Sequence, residues 1–391
     1  MKKVVSLLLV FASVFVLAGV LSSCADRTAY INVYNWGEYI SDGSDDSLDV
    51  NAAFTEATGI KVNYSNFASN EDMYAKLQGG GASYDVIFPS DYMVERMIKE
   101  DMLLPLDYAN IPNADNVLPE YRGLYYDKED KYCLPYNVGM VGLIYNKKLV
   151  DEAPDSWAAL WDKKYEGQIL MFNNPRDAFA IAQSLLGIDY NTTNTADWDR
   201  VLEKMKEQKD VLQSYVMDEV FMKMENGEAA LAPYYVGDFL TMRDNNPDLD
   251  LVFPKEGSNI FVDVVCIPKC AGNKAGAEAY INFLLSPEIA LANAEYLYYT
   301  TPFKSVIEDE EYSLKDDPYT FPSEEVKANA QYFHNLDEDT LKYMNDLWDQ
   351  LKVESDSSAA VYIALAVLVV GVGAFLALKI AKKKKMEKMY R

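Results

Sequence analysis

Short runs of β-forming residues that stop at turn residues, each followed by a helix-like stretch, recur through the first half of this chain and set its class. Tyr30, Ile31, Val33 and Tyr34 form one such run, stopped by Asn35 and Gly37. Residues 41–49, rich in Asp and Ser, predict the start of a helix running to about Thr58, capped by Ser44 or Asp45. Gly59 closes it, and residues 60–64 predict the next strand. A short helix over 71–78, a strand over 84–88 that stops at Pro89, and a helix opening near Asp91 follow. The alternation continues through 141–145, 157–161 and 169–172, which argues for βα units. In an open α/β sheet, small ligands bind in the crevice beyond the strands' carboxyl ends. That rule puts Trp36 and Tyr39, with Glu38 between them, beside Ser90 and Tyr92. Rings with a carboxylate suit an organic cation, while a core plug is an equally plain role for Trp36.

With 391 residues the chain is long enough for two lobes, and 50% hydrophobic content with 13% aromatics excludes disorder. The formal net charge is -25, although both ends are basic, so the middle is more acidic still. Nucleic acid is excluded as a partner for such a surface. Its field favours cations, and it also serves solubility. Lys2 and Lys3, an apolar run over 4–20 and Leu21-Ser22-Ser23-Cys24 have the parts of an export signal. The last four residues resemble the bacterial lipobox, which implies a signal peptide over 1–23, lipid on the Cys24 sulfur and a linker over 24–29. An uncleaved anchor helix is the alternative. Residues 359–378 carry no charge and, at ~1.5 Å per residue, predict a transmembrane helix. Lys379 and Lys382 to Lys385 predict a cytoplasmic basic tail over 379–391. The expectation is a chain tethered at both ends on the outer face of the cell membrane.

Four collinear blocks carry a family resemblance: residues 34–39 (Tyr-Asn-Trp-Gly-Glu-Tyr), 69–77, 253–257 (Phe-Pro-Lys-Glu-Gly) and 280–287. They resemble the polyamine-binding proteins of ABC importers, the spermidine/putrescine-binding family, from about Tyr30 to about Leu351. The resemblance implies a type II two-lobed periplasmic-binding-protein fold. Lobe one would take 30–138 and 261–305, and lobe two 139–260 and 306–354, with crossings near 136–140, 259–263 and 301–307. It also implies a monomer without cofactor, metal or enzyme activity, which gives a putrescine or spermidine ligand to an ABC permease. The aromatic box would comprise Trp36 and Tyr39, with Gly37 and Glu38 of the same loop, then Tyr92 with Ser90, Tyr235, Phe261 and Tyr299. Asp263 matches the family's central carboxylate, and it stands inside the apolar run 260–267, where a carboxylate needs a partner. Asp177 matches the second of two acids in the spermidine type, whereas Asn174 replaces the first. Asp238 and Glu38 match acids of the putrescine type, which tilts the reading toward putrescine. No residue is assigned in the segment Phe333-His334-Asn335.

Two other classes compete. An exported hydrolase lacks the usual parts, since His334 is the one histidine and neither a Gly-x-Ser-x-Gly elbow nor a His-Glu-x-x-His helix occurs. A glycosidase working through paired carboxylates stays open on composition. A membrane-tethered sensor would need more than the dozen or so residues after the last apolar stretch. Cys133, Cys266 and Cys270 are read as thiols, with a Cys133–Cys266 disulfide as the alternative.

Overall fold

The computed structural model describes residues 29–81 and 83–353. Its sheet is built around one long strand. β1 (Tyr30–Trp36) pairs in parallel with β2 (Lys61–Phe67) along its length and with β3 (Val86–Ile87) on its other side. Between them α1 (Val50–Thr58) and α2 (Asn70–Gln78) make the crossovers, and α3 (Asp91–Lys99) follows β3. α1 begins later than the Asp/Ser-rich stretch suggested. Asp49 is its cap, accepting from the Ala52 N–H at 2.8 Å, while residues 44–46 form a separate 3₁₀ turn. Each of the acids near the turn can cap, and the apolar phase of Val50 and Phe54, both buried, selects Asp49.

β4 (Cys133–Asn146) is fourteen residues long and buried throughout. Its first half pairs antiparallel with β9 (Ser258–Cys266), from Cys133↔Cys266 to Met140↔Ile260, with an irregularity between Pro135 and Asn137. From Val141 onward it pairs instead with β7 (Leu231–Tyr235) and β8 (Leu249–Val252). β5 (Ile169–Phe172) lies parallel between β7 and β6 (Leu212–Val216), giving the order β2-β1-β3-β9-β4-β7-β5-β6. One apolar core, with Ile31, Val33, Phe54 and Tyr280, lies beside the β1 half. A larger one, with Trp157, Phe172, Phe179 and Trp198, fills the β5 half, and Trp36 and Tyr235 pack against both. Where the two halves meet, the carboxyl ends of β1, β3, β5 and β7 converge, which is the place such sheets offer to ligands.

One part of the fold class expected from the sequence is corrected. The protein is a two-half α/β fold, and among the described residues no helix is long and apolar enough to cross a membrane. The stretch 359–378, expected as that helix, lies outside the described residues, as do Cys24 and the signal-like segment. Cys133 and Cys266 face each other across β4 and β9, both buried and unlinked, and Cys270 is exposed and unlinked.

Candidate functional site

A cavity with an empty volume of about 660 Å³ opens where the two halves meet. The first wall comes from the loop after β1. Asn35, fully buried, donates to the Tyr39 carbonyl at 3.1 Å and accepts from the Trp36 N–H at 2.8 Å, so the turn is held from inside. Glu38 adopts a left-handed φ of 48°, and the Trp36 indole N–H donates to the Phe88 carbonyl at 2.8 Å. This lays Trp36, Gly37 and Tyr39 along the cavity. Ser90, directly before α3, places its hydroxyl there rather than on a helix N–H, and Asn70 donates to it at 3.0 Å and to the Tyr92 hydroxyl at 3.2 Å. Across the gap, α4 (Pro175–Leu186) presents Asn174 and Asp177, and the junction of β7 with α7 presents Tyr235 and Asp238. Here α5 is Thr195–Gln208, α6 Glu219–Glu225 and α7 Val236–Asn245. Phe261 and Asp263 reach in from β9, and Tyr299 completes the wall.

Thus twelve of the thirteen residues singled out from the sequence line one cavity. The exception is Glu38, exposed in the loop between Gly37 and Tyr39 and outside the lining, although its field still reaches Asp238. Residues that sequence reasoning passed over also line it: Ala68, Asn70, Met217, Asp218, Tyr234, Asn259 and Phe333. Ala68 and Met217 immediately follow β2 and β6, so the strand-end rule that found Trp36 would have found them. Asn70 and Phe333 carry no such strand-end signal; Phe333 packs against Tyr92, ring centroids 5.8 Å apart, and lies in the segment where the family resemblance places a last contact without fixing the residue.

Three carboxylates line this space with weak partners, Asp263 and Asp177 buried and Asp238 half-buried. Asp263 accepts from the Tyr39 hydroxyl at 2.6 Å through Oδ2, while its Oδ1 is buried without any hydrogen bond. Burial pushes its carboxyl up from 3.8 to about 6, against the pull of the Ser90 and Tyr39 hydroxyls. Asp177 accepts from the Tyr235 hydroxyl at 2.7 Å and from the Asn174 amide. Burial raises it as well, to about 6, with Glu71 adding to the effect. Asp238 accepts from the Tyr299 hydroxyl at 2.9 Å, and burial plus the fields of Asp218, Glu38 and Asp263 lift it to about 8. A neutral donor offers a carboxylate much less than a cation does. Arg176, buried beside Asp177, directs its guanidinium to Asn191 at 2.9 Å and the His334 carbonyl at 3.2 Å and stacks on Phe333.

The remaining lining is aromatic. Tyr39 meets Tyr299 edge-on at 5.1 Å, and Tyr235 meets Phe261 at 5.5 Å, so the rings are locked against one another around a narrow slot. Aromatic faces with acids between them suit a flexible aliphatic chain that carries positive charges. A neutral ligand would leave the acids uncompensated. Among the described residues no group of acids, histidines and cysteines is arranged to hold a metal ion. Asn174, read from the sequence as a missing charge, lines the cavity and also serves the fold. Its Oδ1 caps α4 by accepting from the Asp177 N–H, and its amide donates to the Asp177 carboxylate.

Comparison with known proteins bears on this geometry. Residues 50–322 match the model of a family described as bacterial extracellular solute-binding protein. The spermidine/putrescine-binding periplasmic protein of Escherichia coli strain K12 is 32% identical over 320 residues, covering 81% of this chain and 90% of that one. A structure of a spermidine/putrescine ABC transporter protein from Listeria monocytogenes superposes with a TM-score of 0.78 at 35% identity, over 83% of this chain and 99% of that chain. A lipoprotein of Treponema pallidum superposes with a TM-score of 0.71 at 25% identity, over 82% and 99% respectively.

Proposed function

This chain belongs to the bacterial extracellular solute-binding proteins, and on that premise we propose that it captures a linear polyamine, putrescine or spermidine, in the cavity between its halves and delivers it to an ABC permease. It is a binding protein and not an enzyme, as its family and its relatives are. The methylene chain lies in the slot of rings, and the ammonium groups go to Asp263, Asp177 and Asp238. The observation that carries the reading is Asp263, whose Oδ1 is buried in the cavity wall without a hydrogen-bond partner. An arriving ammonium supplies that partner and offsets the cost of keeping a charge out of water. Because charge-assisted hydrogen bonds strengthen when water is excluded, tight capture favours a closed arrangement of the halves, and a permease can read that arrangement. Every carboxylate involved comes from one chain, so a monomer suffices.

Calorimetric titration of the full-length protein with putrescine and with spermidine tests this. One ligand per chain, with the heat abolished in Asp263→Ala, is the expected result. A folded protein that binds neither amine would overturn the reading.

We place the protein at the outer face of the cell membrane, held by lipid on Cys24. The signal-like segment before Cys24 supports this, as does the likeness to a lipoprotein of Treponema pallidum. Radiolabelled palmitate should enter the wild type and not Cys24→Ser.

A further inference from the structure

Asp218 sits at the junction of β6 with α6, in the position before a helix where an aspartate usually accepts from a helix N–H. Here it does not, since its side chain makes no capping hydrogen bond. Glu219 ties down the junction in its place, its carboxylate accepting from the Met217 N–H at 3.0 Å. Asp218 is exposed at the mouth of the cavity, lines it, and points across the gap at the loop after β1. A methyl group placed on Gly37 would lie 2.8 Å from the Asp218 Oδ2, so the carboxylate approaches bare backbone that no other residue would leave open. Its field reaches the acids of both halves, raising the carboxyl of Asp238 on one side and of Glu38 on the other. The opposite end of the cavity differs. There Asp177 has the buried Arg176 beside it, which offsets part of its charge.

We infer that Asp218 is a further ligand carboxylate of the cleft, which receives a terminal ammonium of the polyamine at the seam between Gly37 and the β6–α6 junction and so makes this the more strongly cation-binding end. The inference rests on the polyamine reading of the cavity. That cavity is a binding space on independent grounds, because Asp263, whose buried Oδ1 has no hydrogen-bond partner, lines it. Gly37 has a matching role, since a side chain there would occupy the space the ammonium and the Asp218 carboxylate share.

The test uses full-length Asp218→Asn, Asp218→Ala and Gly37→Ala, titrated with putrescine and spermidine and melted without ligand. Removing the charge should weaken putrescine binding about tenfold in both Asp218 variants, the value of one charge-assisted contact at a wet rim. The Tm of the ligand-free protein should stay level or rise as like-charge repulsion is relieved. Gly37→Ala should weaken binding too, and by less when Asp218 is already replaced. A merely structural cap predicts the reverse: unchanged affinity, with the Tm lowered in Asp218→Ala and restored in Asp218→Asn. That pattern would overturn the inference. If Asp218→Asn binds like wild type while Asp263→Ala does not bind, this inference fails and the polyamine reading stands. If wild type binds no amine, the polyamine reading fails and takes this inference with it.

Discussion

Two buried aspartates in one sheet show opposite designs. Asp85, directly before β3, accepts from three backbone N–H groups: Asn32 at 2.8 Å, Gly272 at 2.8 Å and Asn273 at 2.7 Å. Asp263, in the cavity, has one phenol at 2.6 Å, the Ser90 hydroxyl acting on it from nearby, and a second oxygen without a hydrogen bond. Both are almost wholly shielded from water. Desolvation therefore costs both, and they differ in what offsets it. The first is repaid by the fold and belongs to its stability. The second is left for something that arrives later, which is how a folded chain keeps a site ready for a cation.

The sharpest way to break that contrast is to remove each acid. Asp263→Ala should lose polyamine affinity about 100-fold or more and keep or gain stability, because it deletes an underpartnered buried charge. Asp85→Ala should do the opposite, costing about 2 kcal/mol of stability by stranding three backbone donors, that of Asn273 buried, while affinity in the surviving folded protein stays near wild type. Chemical denaturation and calorimetry on both variants give the four numbers, and parallel losses in both columns would erase the distinction.

A second effect follows from protonation. Asp263 and Asp177 bind a proton more tightly in the folded protein, up to about 6 against 3.8, and Asp238 up to about 8. Raised acids favour the folded state while protonated, so ligand-free stability should fall as pH climbs from about 4 through 6, and further toward 8. Polyamine binding needs the ionised forms and should strengthen over the same range. The ligand-induced rise in Tm is thus expected to be larger at pH 8 than at pH 5.5, and a shift of equal size at both would count against the cavity acids.

The smallest effect refines the role of the phenols. Tyr299→Phe keeps the ring and removes the donor that holds down the Asp238 carboxyl. At pH 7 affinity should drop a few-fold, about 1 kcal/mol or less, and recover near pH 9 once Asp238 ionises without help. A loss that persists at high pH would mean the hydroxyl touches the ligand itself.

How much of this could be read from the sequence depends on where each signal resides. The loop after β1 was legible because a β-forming run ending in Asn35 and Gly37 states both the strand and its stop. Asp263 was legible because a lone charge in an apolar run is costly wherever the strand goes. Asn174 was legible as an uncharged position of the site, but its second role as a cap was not, since capping depends on the exact helix start, which periodicity locates only within a residue or two. Asn70 was invisible and Phe333 only located to its segment, because they enter the cavity through contacts with Ser90 and Tyr92 from distant parts of the chain. Asp218 lay within reach of the strand-end rule once β6 was placed, yet its purpose emerges only from facing Gly37 across the gap.

The central claim is that the cavity keeps carboxylates underpartnered for an aliphatic polycation. Counting the protons released when putrescine binds tests it most directly, by titrating the full-length protein near pH 6 in buffers of different ionisation enthalpy. If Asp263 and Asp177 are half protonated there, Asp238 almost wholly so, and all three ionise to meet the ammonium groups, binding should release about two protons per ligand at pH 6, fewer at pH 8.5, and fewer at pH 6 in Asp263→Asn. Binding that releases no protons at pH 6, or that is indifferent to Asp263→Asn, would contradict the account.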